Sequence, residues 1–255
     1  FSLFYFAIDK NFGKNLLYVF LFSAYINTFL KSFIRDPRPA TNTIEKGFGF
    51  PSAHAQISVS FWGYIFYNFK ENLRKYFVQS ISIVFIVLVS FSRLILGVHD
   101  VVEVFGGIII GLFVLELFIL IKPKFAGFKN VPLVIKLPLF GLFAFVLWYI
   151  MIYLFPKSFL EIGQLGGILF SALIFIPIEE KFVEYTPDFF DFKNKILIGA
   201  FAITLISVAF FLVSYILEQI IKFDYIFVFI EYITLGFFIF LFVPFILKRT
   251  VNYYF

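Results

Sequence analysis

The stretch SRLILGVHDVVEVFGGIIIGLFVLELFILI, Ser92 to Ile121, decides how the chain is read. Its second half is an apolar run broken only by Glu116. That run is long enough to cross a bilayer as a helix, which takes about 20 residues. Its first half sets Arg93, His99, Asp100 and Glu103 at the mouth of the run. Ionisable groups beside hydrocarbon are costly and are kept where they work together. His99 and Glu103 are four residues apart, so a helix opening here places them on one face and Asp100 on another. A carboxylate bonded to one ring nitrogen fixes the tautomer and aims the other nitrogen. Gly107 and Gly111 make a GxxxG step on the face of Glu103, which predicts close approach of a second helix and no chemistry.

Working outward, the composition repeats this theme. The chain is 62% hydrophobic and holds 44 Phe among 255 residues. A chain so composed cannot keep a polar surface in water and belongs in a bilayer. Eight apolar segments follow one another: Lys14–Ile34, Ser52–Phe69, Arg74–Phe91, Val98–Ile121, Leu133–Phe155, Phe159–Ile178, Lys195–Leu217 and Tyr225–Leu247. They are continuous rather than alternating, so strands are not expected. The expected fold is an all-α integral membrane bundle of about eight transmembrane helices. Phe1–Ile8, too short to span, reads as the remnant of an N-terminal helix. With no cysteine, disulfides and thiolate metal sites are excluded.

Charge supplies the orientation. If the segments alternate in direction, twice as many of the 21 Lys and Arg fall on one face as on the other. Basic loops stay cytoplasmic. The net charge of +5 is therefore read as a topology signal, with no nucleic-acid partner. The loops after the first and third segments then face outward, and they carry the remaining charged motifs. Lys31–Pro39 closes the first segment with Arg38-Pro39. Pro51-Ser52-Ala53-His54 opens the second and holds the other of the two histidines. Ser52 is placed to cap that helix, and the free N–H groups of such an N-terminus make an anion site.

Together these three stretches resemble the type 2 phosphatidic acid phosphatase family, which shares its site with vanadium haloperoxidases. The family pattern is Lys, six residues, Arg-Pro; then Pro-Ser-Gly-His; then Ser-Arg, five residues, His, three residues, Asp. Lys31 and Arg38-Pro39 match the first, Pro51, Ser52 and His54 the second, Ser92-Arg93 and His99 the third. Two positions depart: Ala53 stands for glycine and Glu103 for aspartate. The resemblance covers about Gly13–Gly111. It implies a helical phosphatase core over residues 1–124, with residues 125–255 forming additional transmembrane helices of unknown role.

The implied chemistry is phosphoryl transfer. His99 attacks phosphorus and becomes a phosphohistidine, Glu103 orients it, and His54 protonates the leaving alkoxide. Lys31, Arg38, Ser52, Arg93 and the Ala53 N–H hold the phosphoryl oxygens. Both histidines are used in this scheme, so neither metal nor cofactor is expected. The expected activity is hydrolysis of a lipid phosphate or diphosphate: phosphatidate-, phosphatidylglycerophosphate- or polyprenyl-diphosphate-like. Its expected place is the outer face of the cell membrane, with the bilayer and a membrane lipid as partners. Arg35 and Lys46 add positive charge that suits a diphosphate. The alternatives are a lipid phosphotransferase, or a transporter or scaffold around an inert core. In the later helices Glu116, Glu161, Gln164 and Glu231 are read as interhelical hydrogen bonders or interfacial groups. Glu179–Lys195 is read as a solvated cytoplasmic loop.

Overall fold

The structure is a computed structural model that describes residues 3–41, 45, 47–69, 75–187, 192–221 and 224–254. Lys46 lies outside them. Among the described residues every regular element is helical. The helices are α1 (Lys10–Ile34), α2 (Ala53–Asn68), α3 (Lys75–Ile95), α4 (Val101–Ile121), α5 (Leu133–Leu154), α6 (Phe159–Ile178), α7 (Phe192–Ile220), α8 (Asp224–Phe237) and α9 (Val243–Tyr254). Phe4–Ile8 forms one π-helical turn. Others are Glu179–Val183 and Phe238–Phe242, the latter joining α8 to α9 just before Pro244. Proline has no N–H to return to the preceding turn, and a widened turn accommodates the loss.

Seven spans among the described residues are long and apolar enough to cross a membrane, which makes this an integral membrane helical protein. The second apolar segment is the one that falls short. Helix α2 has 16 residues, about 24 Å of rise against a hydrocarbon core of about 30 Å. Its interior is polar, with Gln56, Ser58 and Ser60 buried.

The residues cluster into two compact units, Leu16–Gly127 and Phe1–Asn15 with Phe128–Phe255. In the first, α2 packs against α3 and α4. A Cβ on Gly107 would lie 2.7 Å from the Ser52 carbonyl oxygen, and one on Gly111 would lie 2.6 Å from that of Gln56. The glycine step is thus the groove that receives α2, as its spacing predicts. Beneath the N-terminus of α2 runs a buried polar network. Asn27 Nδ2 donates to Gln56 Oε1 (2.9 Å) and to the Pro51 carbonyl (3.2 Å). Gln56 Nε2 donates to the Ser23 carbonyl (2.9 Å), and Ser60 Oγ to the Gln56 carbonyl (3.0 Å). Buried polar groups are tolerable when paired in this way, and here the pairs tie α1 to α2.

The second unit is built on α6, packed between α5 and α8. Trp148 and Phe229 stack at 4.1 Å in a core with Met151 and Ile162. Gly163 and Gly167 let α8 approach α6 closely. Glu231 accepts a hydrogen bond from Ser214, the interhelical bond expected of a polar group in such a helix. The reading of Glu179–Lys195 as solvated needs correction at its start. Glu179 is fully buried, ion-paired with Lys10 and accepting from the Tyr185 N–H at 2.9 Å. Tyr185 in turn donates to the Phe6 carbonyl at 2.5 Å. Burial, then the Glu179 charge, raises the Tyr185 pKa above its ordinary value. A carboxylate in that position needs a cation beside it, and Lys10 supplies it from far along the chain.

Candidate active site

The turn between α3 and α4 sets the geometry. Gly97 has φ +64°, a left-handed conformation that glycine adopts without penalty. Its N–H bonds the Leu94 carbonyl (3.0 Å) and ends α3, while Thr41 Oγ1 donates to its carbonyl at 2.8 Å. The chain turns sharply there, so that Arg93 at the end of α3 and His99 before α4 face the same space.

Helix α4 opens with a capping box. The Asp100 side chain accepts from the Glu103 N–H at 2.8 Å, and Glu103 Oε2 accepts from the Asp100 N–H at 3.2 Å. The same Oε2 lies 2.5 Å from His99 Nδ1. His99 and Glu103 therefore meet as expected, but for a different reason. His99 precedes the helix and is not part of its face; Glu103 reaches back over the first turn. Asp100 is the N-cap. With its Nδ1 proton on Glu103, neutral His99 presents the lone pair of Nε2, which accepts from Arg38 Nη1 at 3.2 Å. His99 is 3% exposed. Burial first, then the charges of Lys31 and Arg38, lower its pKa to about 4.

The cations come from the ends of α1 and α3. Arg35 ends α1 at φ +58°, a strained conformation for a residue with a Cβ. The chain then doubles back and brings Arg38 to the Val98 carbonyl (3.0 Å) and to His99. Lys31 Nζ donates to the Phe48 and Gly49 carbonyls (2.6 and 3.1 Å), holding the returning loop. Gly49 passes so close to Glu103 that any Cβ there would strike the carboxylate.

Between the two arginines sits Glu45. Its Oε2 lies 2.9 Å from Arg38 Nη2 and 3.9 Å from His99 Nε2, and its Oε1 3.1 Å from Arg93 Nη1.

The start of α2 closes the site. The Ser52 N–H donates to the Glu103 carbonyl at 3.0 Å. Ser52 stands at the N-cap, yet its hydroxyl makes no cap bond; it is buried with no protein partner among the described residues. Ala53 begins the helix, and His54 lies on the exposed side of its first turn. Partial burial, then the Arg93 charge, holds His54 below the ordinary histidine pKa. His54 also feels the charges of Glu45, Lys31 and Arg38.

All eight residues singled out from the sequence thus lie around one space. Lys31 differs in that its ammonium is turned onto loop carbonyls. Sequence reasoning missed Glu45, which no local pattern marks. It also missed Asn27 and Gln56, whose polarity inside apolar segments was a usable signal. Among the described residues no three His, Asp or Glu side chains converge as metal ligands would.

Comparison with known proteins gives this arrangement relatives. Phosphatidylglycerophosphatase B of Bacillus subtilis (strain 168) is 37% identical over 117 residues, covering 43% of this chain and 56% of that protein. Lipid phosphate phosphatase delta of Arabidopsis thaliana is 22% identical, over 46% of this chain and 32% of the relative. Sphingosine-1-phosphate phosphatase 2 of Mus musculus is 26% identical, over 40% and 32%. The matched region thus spans between about a third and just over half of these relatives' lengths. No solved structure matches the chain significantly. The family model of the PAP2 superfamily matches residues 12–126, the stretch that carries every residue of the site.

Proposed function

We propose that the protein is a membrane-integral lipid phosphatase that hydrolyses a lipid phosphate or diphosphate through a phosphohistidine intermediate. The observation that carries this reading is His99: one ring nitrogen is held by Glu103, and the other accepts from Arg38 beside the Glu45 carboxylate that Arg93 also binds. The names of the relatives fit a phosphatidate-, phosphatidylglycerophosphate- or sphingoid-phosphate-like substrate.

In the proposed reaction Nε2 of His99 attacks phosphorus. Its lowered pKa keeps it neutral and nucleophilic near pH 7. Arg38 turns from Nε2 to a phosphoryl oxygen, and Arg93, Ser52 Oγ and the first N–H groups of α2 take the others. The bond from phosphorus to the lipid oxygen breaks, and His54 gives that oxygen a proton. An arriving dianion offsets the cations that depress the His54 pKa, so substrate itself favours the protonated His54 that the step needs. Water then splits the phosphohistidine, releasing inorganic phosphate and restoring the imidazole.

The outer-face placement rests on the uneven distribution of Lys and Arg. One experiment tests chemistry and side together: sealed right-side-out vesicles in EDTA are supplied with lipid phosphates in the outer leaflet. Phosphate is expected in the outer medium, with an acid-labile, base-stable adduct on His99. Failure to hydrolyse any lipid phosphate or diphosphate, or an adduct on His54, would overturn the scheme.

A further inference from the structure

We propose that Glu45 is an internal stand-in for the substrate phosphate and thereby sets the affinity of the site. The inference rests on the reading of the cage as a phosphate site. The two Glu45 oxygens take one guanidinium each, at 2.9 Å (Arg38) and 3.1 Å (Arg93). The oxygen on Arg38 is also 3.9 Å from His99 Nε2. A phosphoryl group in line for attack by Nε2 must put its oxygens where these two are. Carboxylate and phosphate present the same planar pair of acceptors to a guanidinium, so they compete for the same donors.

Glu45 therefore has to leave the arginines whenever phosphate enters. Residues that hold substrate lower KM; a residue that holds the substrate's place raises it. An internal competitor divides the affinity of every phosphate ligand by the fraction of time the cage is free. It divides substrate and product affinity by the same factor. It leaves the chemical step untouched, because Glu45 is out of the cage when phosphorus is attacked. In the empty site it neutralises two cations that would otherwise repel each other beside a buried histidine.

The test uses the full-length chain in detergent, with Glu45→Gln and Glu45→Asp. The dissociation constant of inorganic phosphate is measured by calorimetry or phosphorus NMR, which requires no turnover. KM and kcat are measured on a soluble short-chain lipid phosphate. Glu45→Gln is expected to lower the phosphate Kd and KM by one common factor of about tenfold, with kcat unchanged. Glu45→Asp should restore much of the competition. A Kd and KM that stay the same or rise would overturn the proposal and make Glu45 a structural or substrate-holding residue. The two readings fail separately. A wild-type chain that hydrolyses nothing, with tighter phosphate binding in Glu45→Gln, sinks the phosphatase and keeps the stand-in. Normal hydrolysis with unaltered binding in Glu45→Gln does the reverse.

Discussion

The two units of this chain differ in what they bury. Leu16–Gly127 holds Ser23, Asn27, Gln56, Ser60, His99 and Glu103 out of solvent, whereas the other unit buries Ser171 and Glu179 among its described residues. Lipid-facing helices can be held together by close packing alone, as α6 and α8 are through Gly163 and Gly167. Buried polar groups cost free energy unless paired, so a unit that buries many of them needs their pairing for something besides cohesion. In the first unit one set of pairs ties α1 to α2, and Glu103 and Arg38 hold His99. In the second, Glu179, Lys10 and Tyr185 tie chain segments together.

The sharpest way to break this contrast is to remove one buried ionisable group from each unit. His99→Ala should reduce kcat by about a thousandfold or more, since the proposed nucleophile itself is lost. Glu179→Gln should leave kcat within about twofold while lowering thermal stability by up to about 3 kcal/mol, because Lys10 loses its counter-charge. Turnover assays and thermal melts on both variants decide; a Glu179→Gln protein that melts normally but does not turn over would erase the distinction.

A smaller effect separates the two acids at the start of α4. Glu103→Gln cannot hold the His99 Nδ1 proton with a charge and should cost about a hundredfold in kcat. Asp100→Asn keeps an acceptor for the Glu103 N–H and asparagine caps as well as aspartate, so activity and melting should barely change. Greater damage from Asp100→Asn in the same assays would mean that the cap charge, and not Glu103, aims the ring.

The site could be read in the sequence where its logic was local. Arg93, His99 and Glu103 lie close together in the chain, from the end of α3 to the first turn of α4, and Gly107 with Gly111 announced a close neighbour. Contacts set by distant segments left no such trace. Glu45 meets Arg93 across 48 positions, and nothing near it in sequence says where a loop carboxylate will come to rest. Glu179 finds Lys10 from the far end of the chain, so a stretch rich in acids and lysines read as solvated. Helix α2 has 16 residues, shorter than its apolar segment suggested, and its buried Gln56 and Ser60 bond to α1 and α4.

The mildest perturbation addresses that packing. Gly107→Ala forces a methyl onto the Ser52 carbonyl, 2.7 Å away, whereas a Cβ on Gly127 meets nothing within 4 Å. The first should cost about 1–3 kcal/mol and shift Ser52 enough to raise KM. The second should be silent in both melting and kinetics. Equal behaviour of the two would show that the α2–α4 seam gives way freely and that the network beneath it does not position the site.

The capping box gives Glu103 two partners on one oxygen, the His99 ring and the Asp100 amide. Whatever frays the first turn of α4 also releases the imidazole. Helix ends open far more readily than a protein unfolds, so warming should disarm the proposed nucleophile well before the bundle melts. The working temperature range of this protein is then written in one turn of helix, and a tighter cap would widen it while the rest of the molecule stayed as it is.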